Sequence, residues 1–411
     1  MNIKPQYEEI KIVTLGNVSA GKSTMIGVLT QDILDDGRGL ARKNICRYPH
    51  EVENGKTSAI GHHYIVYKEN YEVYKSITMI DLAGHEKYLK TTLKGINSTL
   101  CDYVMLLIGS NMGVSRMTRE HFNIAKALNK PIFIVITKLD ICPKPILEKT
   151  INEIKEILSS EFAGSKKPWI INSLKDAEQC SKIISTKQEI YPIFKVSSVS
   201  GENIPLLKSF IKNIHSPTKW DKFNNDEPEF LIDDRFHIAG IGLVVSGTMQ
   251  KGQISIGDKL WLGPFNNKFK QVIIKSIHGN IKNPITNISA GYTSSFAIKP
   301  INKKDSIKRN NIKNGMVILS NPYCVSEFKA KVLILHHPTT IRIGYQSVIH
   351  CGNVRQSAKI IDMDKELTRT GDTTIVTFRF SFHSEYLQIG SKIMFREGRT
   401  KGVGDIVEIF E

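Results

Sequence analysis

Gly16-Asn17-Val18-Ser19-Ala20-Gly21-Lys22-Ser23, with Thr24 behind it, has the G-x-x-x-x-G-K-[ST] spacing of a loop that cradles phosphates. The residues before it, Ile10-Lys11-Ile12-Val13-Thr14-Leu15, are mostly β-branched and apolar and read as a strand. From Ser23 to about Thr30, with Met25, Ile26, Val28 and Leu29 apolar, the chain reads as a helix. Strand, glycine loop and helix start are the context such a loop requires. Backbone N–H groups would converge on the phosphates, and the positive end of the helix dipole adds to them. Asn17, Val18, Ser19, Ala20, Gly21, Lys22, Ser23 and Thr24 are therefore the candidate phosphate contacts. Lys22 would supply a point charge to the β- and γ-phosphates, and the Ser23 hydroxyl a ligand to Mg²⁺.

A chain of 411 residues is long enough for two or three domains, each with its own core. Its composition, 41% hydrophobic and 23% charged, is that of a soluble globular protein. No apolar run approaches the length of a membrane span, and the start, Met1-Asn2-Ile3-Lys4-Pro5, has no apolar signal core. The six cysteines form no C-x-x-C pair and read as reduced thiols, so a cytoplasmic location is expected. The net charge of +16 raises the question of a nucleic-acid partner. That charge is spread, with +8 over residues 1–220, +6 over 221–325 and +2 over 326–411. It is not gathered into a binding arm.

Residues 10 to about 215 alternate short apolar strands with helical stretches, the pattern of a doubly wound, mostly parallel α/β sheet. Strands are expected at Ile10–Leu15, Ile77–Asp81, Tyr103–Ile108, Ile132–Thr137 and Ile193–Ser197, and helices at Glu120–Leu128 and Leu147–Ser159. Residues 31–60 are polar, glycine-bearing and weakly periodic, too long for a plain connection, which marks them as a functional loop. From Asn224-Asn225-Asp226-Glu227-Pro228 onward, short alternating segments punctuated by Gly, Asn and Pro predict all-β modules, barrels by their spacing. A break near Asn321-Pro322-Tyr323 divides them. The expected domains are 1–220, 221–325 and 326–411.

If the loop holds phosphates, an acid that orients Mg²⁺ should end a nearby strand. Asp81-Leu82-Ala83-Gly84-His85 fits: Asp81 would hold the metal and the Gly84 N–H would sense the γ-phosphate. Thr137-Lys138-Leu139-Asp140 then selects the base. A carboxylate at Asp140 can accept from the N1–H and N2–H₂ of guanine, a donor pair that adenine lacks. The aliphatic stem of Lys138 can pack over the purine, and Ser197-Ser198-Val199 would complete the pocket around the base oxygen. Their order after a phosphate loop points to GTP and GDP rather than ATP.

The order resembles that of the translational GTPase superfamily. Asp81-Leu82-Ala83-Gly84-His85 is similar to its D-x-P/A-G-H, and Met117-Thr118-Arg119-Glu120-His121 to its Q-T-R-E-H. Gly240-Ile241-Gly242-Leu243-Val244-Val245-Ser246-Gly247 resembles the second-domain G-x-G-x-V-V-x-G. In the third module His337-Pro338-Thr339-Thr340-Ile341, Gly344-Tyr345 and Phe395-Arg396-Glu397-Gly398-Arg399-Thr400 resemble elongation-factor motifs. Leu34-Asp35-Asp36-Gly37-Arg38-Gly39 and Glu53-Asn54-Gly55-Lys56-Thr57-Ser58 are similar to the subgroup called GTP-binding protein 1 and 2. The resemblance implies a P-loop GTPase domain followed by two β-barrels, with GTP/GDP and Mg²⁺ as cofactors.

It also implies roles. Thr57 would close on Mg²⁺ and the γ-phosphate when GTP is bound, with Ser58 its neighbour and rival for that assignment. His85 would orient the attacking water, and Val18 would stand at a hydrophobic gate before it. The implied catalytic residues are thus His85, Thr57 and Gly84, and the implied metal ligands Ser23, Thr57 and Asp81. No arginine declares itself as a finger for the phosphates. Hydrolysis by such a switch is slow alone, ~10⁻⁴ s⁻¹, and a partner adds up to ~10⁵-fold, or ~7 kcal/mol of barrier. An activator, the ribosome, is expected. Two departures stand out: Ser19 replaces the usual acid, and Thr137 replaces the Asn of N-K-x-D, which predicts a weaker tie and faster exchange.

The expected function is GTP-dependent delivery of aminoacyl-tRNA or a related cargo to the ribosome by a monomer with no membrane partner. The alternatives are a GTP-timed carrier of a rescue or termination protein, an adaptor for RNA decay, and a regulator of a metabolic enzyme. The pairs His62-His63 and His336-His337 are not expected to bind metal, since adjacent strand residues face opposite ways. Gly240-x-Gly242 is expected to be a barrel turn and His350-Cys351 a strand position.

Overall fold

The structure is a computed structural model that describes residues 7–46, 48–54, 57, 60–84, 101–159, 166–187, 189–302, 304–305, 307–398 and 400–410. Two compact units divide between residues 219 and 220.

The first unit is built on a seven-stranded sheet of β1 (Glu8–Gly16), β2 (Gly61–Glu69), β3 (Glu72–Asp81), β4 (Tyr103–Gly109), β5 (Ile132–Thr137), β6 (Lys167–Ile170) and β7 (Ile190–Lys195), in the order β2-β3-β1-β4-β5-β7-β6. All neighbours run parallel except β2, which pairs antiparallel with β3. The expected doubly wound sheet is present. β1, β4 and β5 are buried along nearly their whole length, which is why their sequences are unbroken apolar runs. β2 and β6 went unread because they form the two edges, where one face of the ladder is open and polar residues or Pro168 are tolerated. The last strand runs Ile190–Lys195, so Val196 and Ser197 belong to the loop after it.

The helices are α1 (Lys22–Gln31), α2 (Leu40–Lys43), α3 (Pro49–Asn54), α4 (Arg116–Ala127), α5 (Lys144–Leu158), α6 (Leu174–Thr186) and α7 (Ile204–Asn213). α4 starts earlier than its apolar periodicity because the Ser115 hydroxyl caps it by accepting the Thr118 N–H at 3.1 Å. α6, absent from the sequence reading, begins at a capping box between Ser173 and Asp176. α1 buries Met25, Ile26, Val28 and Leu29, and α7 inserts Phe210 between Phe133 and Phe194, with ring centroids 5.1 and 5.0 Å away. Because the chain leaves β1 towards one edge and returns towards the other, β1 and β4 flank the switch in strand order. Ligands of such sheets bind at the carboxyl ends there.

The second unit holds two barrels. In the first, β8 (Glu229–Ile238), β9 (Gly242–Lys251), β11 (Lys259–Phe265), β12 (Lys268–Gly279), β15 (Thr293–Pro300) and β16 (Val317–Leu319) close through the β11–β12 pair, with β10 (Gln253–Ser255), β13 (Pro284–Ile285) and β14 (Asn287–Ser289) as additions. In the second, β17 (Glu327–His336), β18 (Gln346–Cys351), β19 (Val354–Met363), β20 (Thr373–Phe380), β21 (Lys392–Glu397) and β22 (Thr400–Phe410) close in the order β17-β20-β19-β18-β21-β22. Phe230 against Phe296 fills one core and Phe328 against Phe378 the other. The side-chain amide of Asn353 spans the barrels, donating to the Ile232 carbonyl and to Asp233 at 2.8 Å each.

Motifs of the third module prove to be fasteners. His337 Nδ1 lies 2.6 Å from the Thr400 hydroxyl, and its ring stands edge-on to Tyr345 at 5.4 Å. Gly240 and Gly242, both left-handed, turn the β8–β9 hairpin, and His350-Cys351 ends β18, as expected.

Replacing Phe210, fully buried between two rings, by Ala should cost the nucleotide unit about 3–5 kcal/mol. Chemical denaturation followed by the tryptophan signal of Trp169, with Trp220 and Trp261 replaced by Phe, would measure it.

Candidate functional site

β1 delivers the loop to the end of the sheet. Gly16 sits at φ +142 with its Cα pressed on Leu107 of β4, so a side chain there would strike the Leu107 backbone. Its N–H donates to His121 Nδ1 at 3.1 Å. Burial holds His121 at a pKa of about 3, with Lys22 adding to the effect, so the ring is neutral and able to accept. His121 appeared in the sequence only as part of a resemblance. Its work is to pin the entry of the phosphate loop from α4.

The loop turns through left-handed Ser19 and Gly21 into α1. Asn17 closes a turn on its neighbour, its side-chain oxygen accepting the Val18 N–H at 2.8 Å. The ammonium of Lys22 donates to the carbonyls of Gly16 at 3.2 Å and Asn17 at 3.0 Å. Burial pulls its pKa down to about 8, against the pull of Asp81 in the other direction. A lysine desolvated this way favours an anion beside it.

At the other end of this group, Asp81 closes β3. Its Oδ2 accepts from the Ser23 hydroxyl at 2.6 Å and the Thr57 hydroxyl at 3.2 Å, and those two hydroxyls lie 2.8 Å apart. The Thr14 hydroxyl reaches Oδ1 at 3.4 Å. Burial raises the pKa of Asp81, and the Ser23 bond and Lys22 oppose it. Two hydroxyls and a carboxylate form a hard oxygen set that fits a small divalent cation such as Mg²⁺. Gly84 follows directly. A Cβ on it would stand 2.6 Å from the Gly16 carbonyl oxygen and 2.9 Å from the Asn17 carbonyl carbon, so only glycine fits against the loop. His85 lies outside the described residues, as does Ser58.

The base end is built differently. The buried Thr137 hydroxyl donates to the Ala20 carbonyl at 2.9 Å, tying β5 to the phosphate loop with its one proton. Lys138 is left-handed and turns the chain so that Asp140 reaches the cavity. Asp140 is exposed, and its Oδ1 accepts from the Ser197 hydroxyl at 2.6 Å. Ser197 is fully buried, and its oxygen also accepts the N–H groups of Val199 and Ser200. It therefore aims Asp140, while Ser198 and Val199 form the wall.

Most of these residues line one cavity of about 410 Å³, from Val18, Ser19, Lys22 and Thr24 at one end to Lys138, Asp140 and Val199 at the other, while Asn17, Ala20, Asp81 and Ser197 stand outside its lining. That volume suits a nucleotide. Asp35, Gly37, Arg38, Gly39, Arg42 and Ile141 also line it, and the sequence reading assigned none of them a contact. The signal was there: two acids and two glycines in six residues of a loop already marked as functional. Among the described residues, no helix is long and apolar enough to cross a membrane.

Comparison with known proteins agrees with this geometry. The family model for the elongation factor Tu GTP binding domain matches residues 8–216. GTP-binding protein 1 of Xenopus laevis is 42% identical over 98% of this chain, which spans 64% of that protein's length. GTP-binding protein 2 of Homo sapiens is 37% identical over 98% of this chain and 70% of its own. Among solved structures, the S. cerevisiae Ski7 GTPase-like domain bound to GTP shares the fold with a TM-score of 0.76, covering 98% of each chain at 16% identity.

Thr137→Val removes the proton that Thr137 donates to the Ala20 carbonyl and should speed release of a fluorescent GDP about tenfold. Thr137→Asn, with two donors, should slow it below the wild-type rate. Gly84→Ala should lower GTP turnover on the order of 10²-fold and weaken GDP as well, since its Cβ presses on Lys22 and on the phosphate loop, read by single-turnover hydrolysis and equilibrium titration.

Proposed function

The chain belongs to the translational GTPases, with the GTP-binding proteins 1 and 2, and from that premise we propose that it delivers aminoacyl-tRNA or a related cargo to the ribosome under the control of GTP. As a member of this family it hydrolyses GTP to GDP and phosphate.

The observation that carries the switch reading is the meeting of Ser23, Thr57 and Asp81 within 3.2 Å of one another. One comes from the phosphate loop, one from the segment before β2 and one from the end of β3. A γ-phosphate at this meeting point gives each segment a reason to stay. Its loss removes that reason for the segment carrying Thr57 and for the one carrying Gly84. Mg²⁺, when bound, compensates the charge of the β- and γ-phosphates, and Ser23, Thr57 and Asp81 are the residues that would hold it. Lys22 pairs with the same phosphates, Asn17 to Thr24 wrap them, and Gly84 offers its N–H. In this reading His85 orients the water, and Val18 screens it until an activator acts.

At the base end Asp140 accepts from guanine, Lys138 covers the ring, and Ser198 and Val199 close the pocket, with Ser197 holding Asp140 in place. Residues 1–220 form the switch module, and 221–325 and 326–411 are the barrels that carry cargo in the GTP form. The protein acts as a monomer in the cytoplasm.

A ribosome-stimulated GTPase assay with and without aminoacyl-tRNA tests this. The expected result is stimulation of several orders of magnitude, up to ~10⁵-fold, together with protection of aminoacyl-tRNA from deacylation in GTP and not in GDP. Co-purification of a protein in GTP, with no effect on aminoacyl-tRNA, would replace the cargo by a rescue or decay factor.

A further inference from the structure

Within Leu34-Asp35-Asp36-Gly37-Arg38-Gly39, the residues Asp35, Gly37, Arg38 and Gly39 form a built wall of the nucleotide cavity. On the base side, the Asp35 N–H donates to the Ser198 carbonyl at 2.9 Å. At its other end, buried Ala41 of α2 sets its carbonyl against Gly27, in the second turn of α1. The segment thus runs from the base side of the cavity back to α1, with Arg38 on the stretch that lines the cavity.

Its backbone is fixed from within. The buried Asp35 carboxylate accepts the N–H groups of Gly37 at 3.1 Å, Gly39 at 3.3 Å and Ala41 at 2.9 Å. Asp36 accepts those of Arg38 at 2.8 Å and Leu40 at 3.1 Å. Gly37 and Gly39 take φ of +77 and +92, which these turns require and which other residues rarely adopt. Both carboxylates are therefore spent on backbone. Arg38 lines the cavity with no ion-pair partner among the described residues. An arginine on an ordered loop, beside a cavity that takes a polyanion, offers a planar fork to phosphate oxygens with little ordering left to do.

We propose that Arg38 is a further nucleotide-binding residue, its guanidinium engaging the phosphate nearest the ribose, which GDP and GTP share. The bond from Asp35, three residues before Arg38, to Ser198 on the base side decides this assignment over that of a finger on the γ-phosphate, since Lys22, Thr57 and Gly84 line the γ-phosphate end. The cation slows the release of both nucleotides and so offsets the single-proton tie of Thr137. The inference rests on guanine nucleotide occupying this cavity, whatever the cargo.

The test is stopped-flow release of fluorescent GDP and of a fluorescent non-hydrolysable GTP analogue from the full chain, its Arg38→Ala variant and its Arg38→Lys variant. Arg38 is exposed, and matched melting curves would show that the variants fold. Arg38→Ala should release both nucleotides ~10-fold faster, by similar factors. Arg38→Lys should fall between. Release rates unchanged in Arg38→Ala would overturn the proposal, as would a defect confined to the triphosphate or to kcat, the mark of a finger. A wild-type chain that took up no fluorescent GDP would overturn it by removing its premise, a result distinct from the other two.

Discussion

Two opposite charges taken out of water hold the phosphate end of this site in tension. Lys22 and Asp81 are both buried, and burial disfavours the charged form of each, drawing the lysine down to about 8 and the aspartate up. Their mutual attraction repays part of that cost, and the carbonyls of Gly16 and Asn17 and the hydroxyls of Ser23 and Thr57 repay more. A polyphosphate with a divalent cation would satisfy the rest, bringing an anion to the lysine and a cation to the carboxylate. The residues that complete the balance lie on three separate segments of the chain.

The base end depends on that arrangement through a single thread. Thr137 joins β5 to the phosphate loop by one hydrogen bond to Ala20, and Ser197 joins the next loop to Asp140 by another. Base and phosphate sites therefore share one backbone frame at the carboxyl ends of β1, β4 and β5. His121 from α4 and Gly16 from β1 anchor the same frame from below. A change at any of these positions reaches the others through backbone rather than through the ligand.

Much of this was legible in the chain. The phosphate loop, Asp81 and the Thr137–Asp140 tetrapeptide combine fixed residue types at fixed spacings on buried parallel strands, and such strands announce themselves by unbroken apolar runs. The barrels were readable from short alternating segments. Edge strands β2 and β6 were not, because a strand with one free side needs no continuous apolar pattern. Nor were His121, Arg38 or the supporting role of Ser197, whose value lies in contacts across 105 or 57 residues or in a loop geometry that no periodicity encodes. Ser197-Ser198-Val199 was read as the part of the pocket around the base oxygen, and the structure adds that the buried Ser197 hydroxyl donates to Asp140.

The account stands on a guanine nucleotide spanning both ends of one cavity. Isothermal titration of the protein with GDP and ADP, and with non-hydrolysable analogues of GTP and ATP, in the presence and absence of Mg²⁺, tests this most directly. Guanine nucleotides should bind on the order of 10³-fold more tightly than adenine nucleotides, with Mg²⁺ strengthening the triphosphate analogue. Equal affinity for the adenine and guanine series would contradict the account.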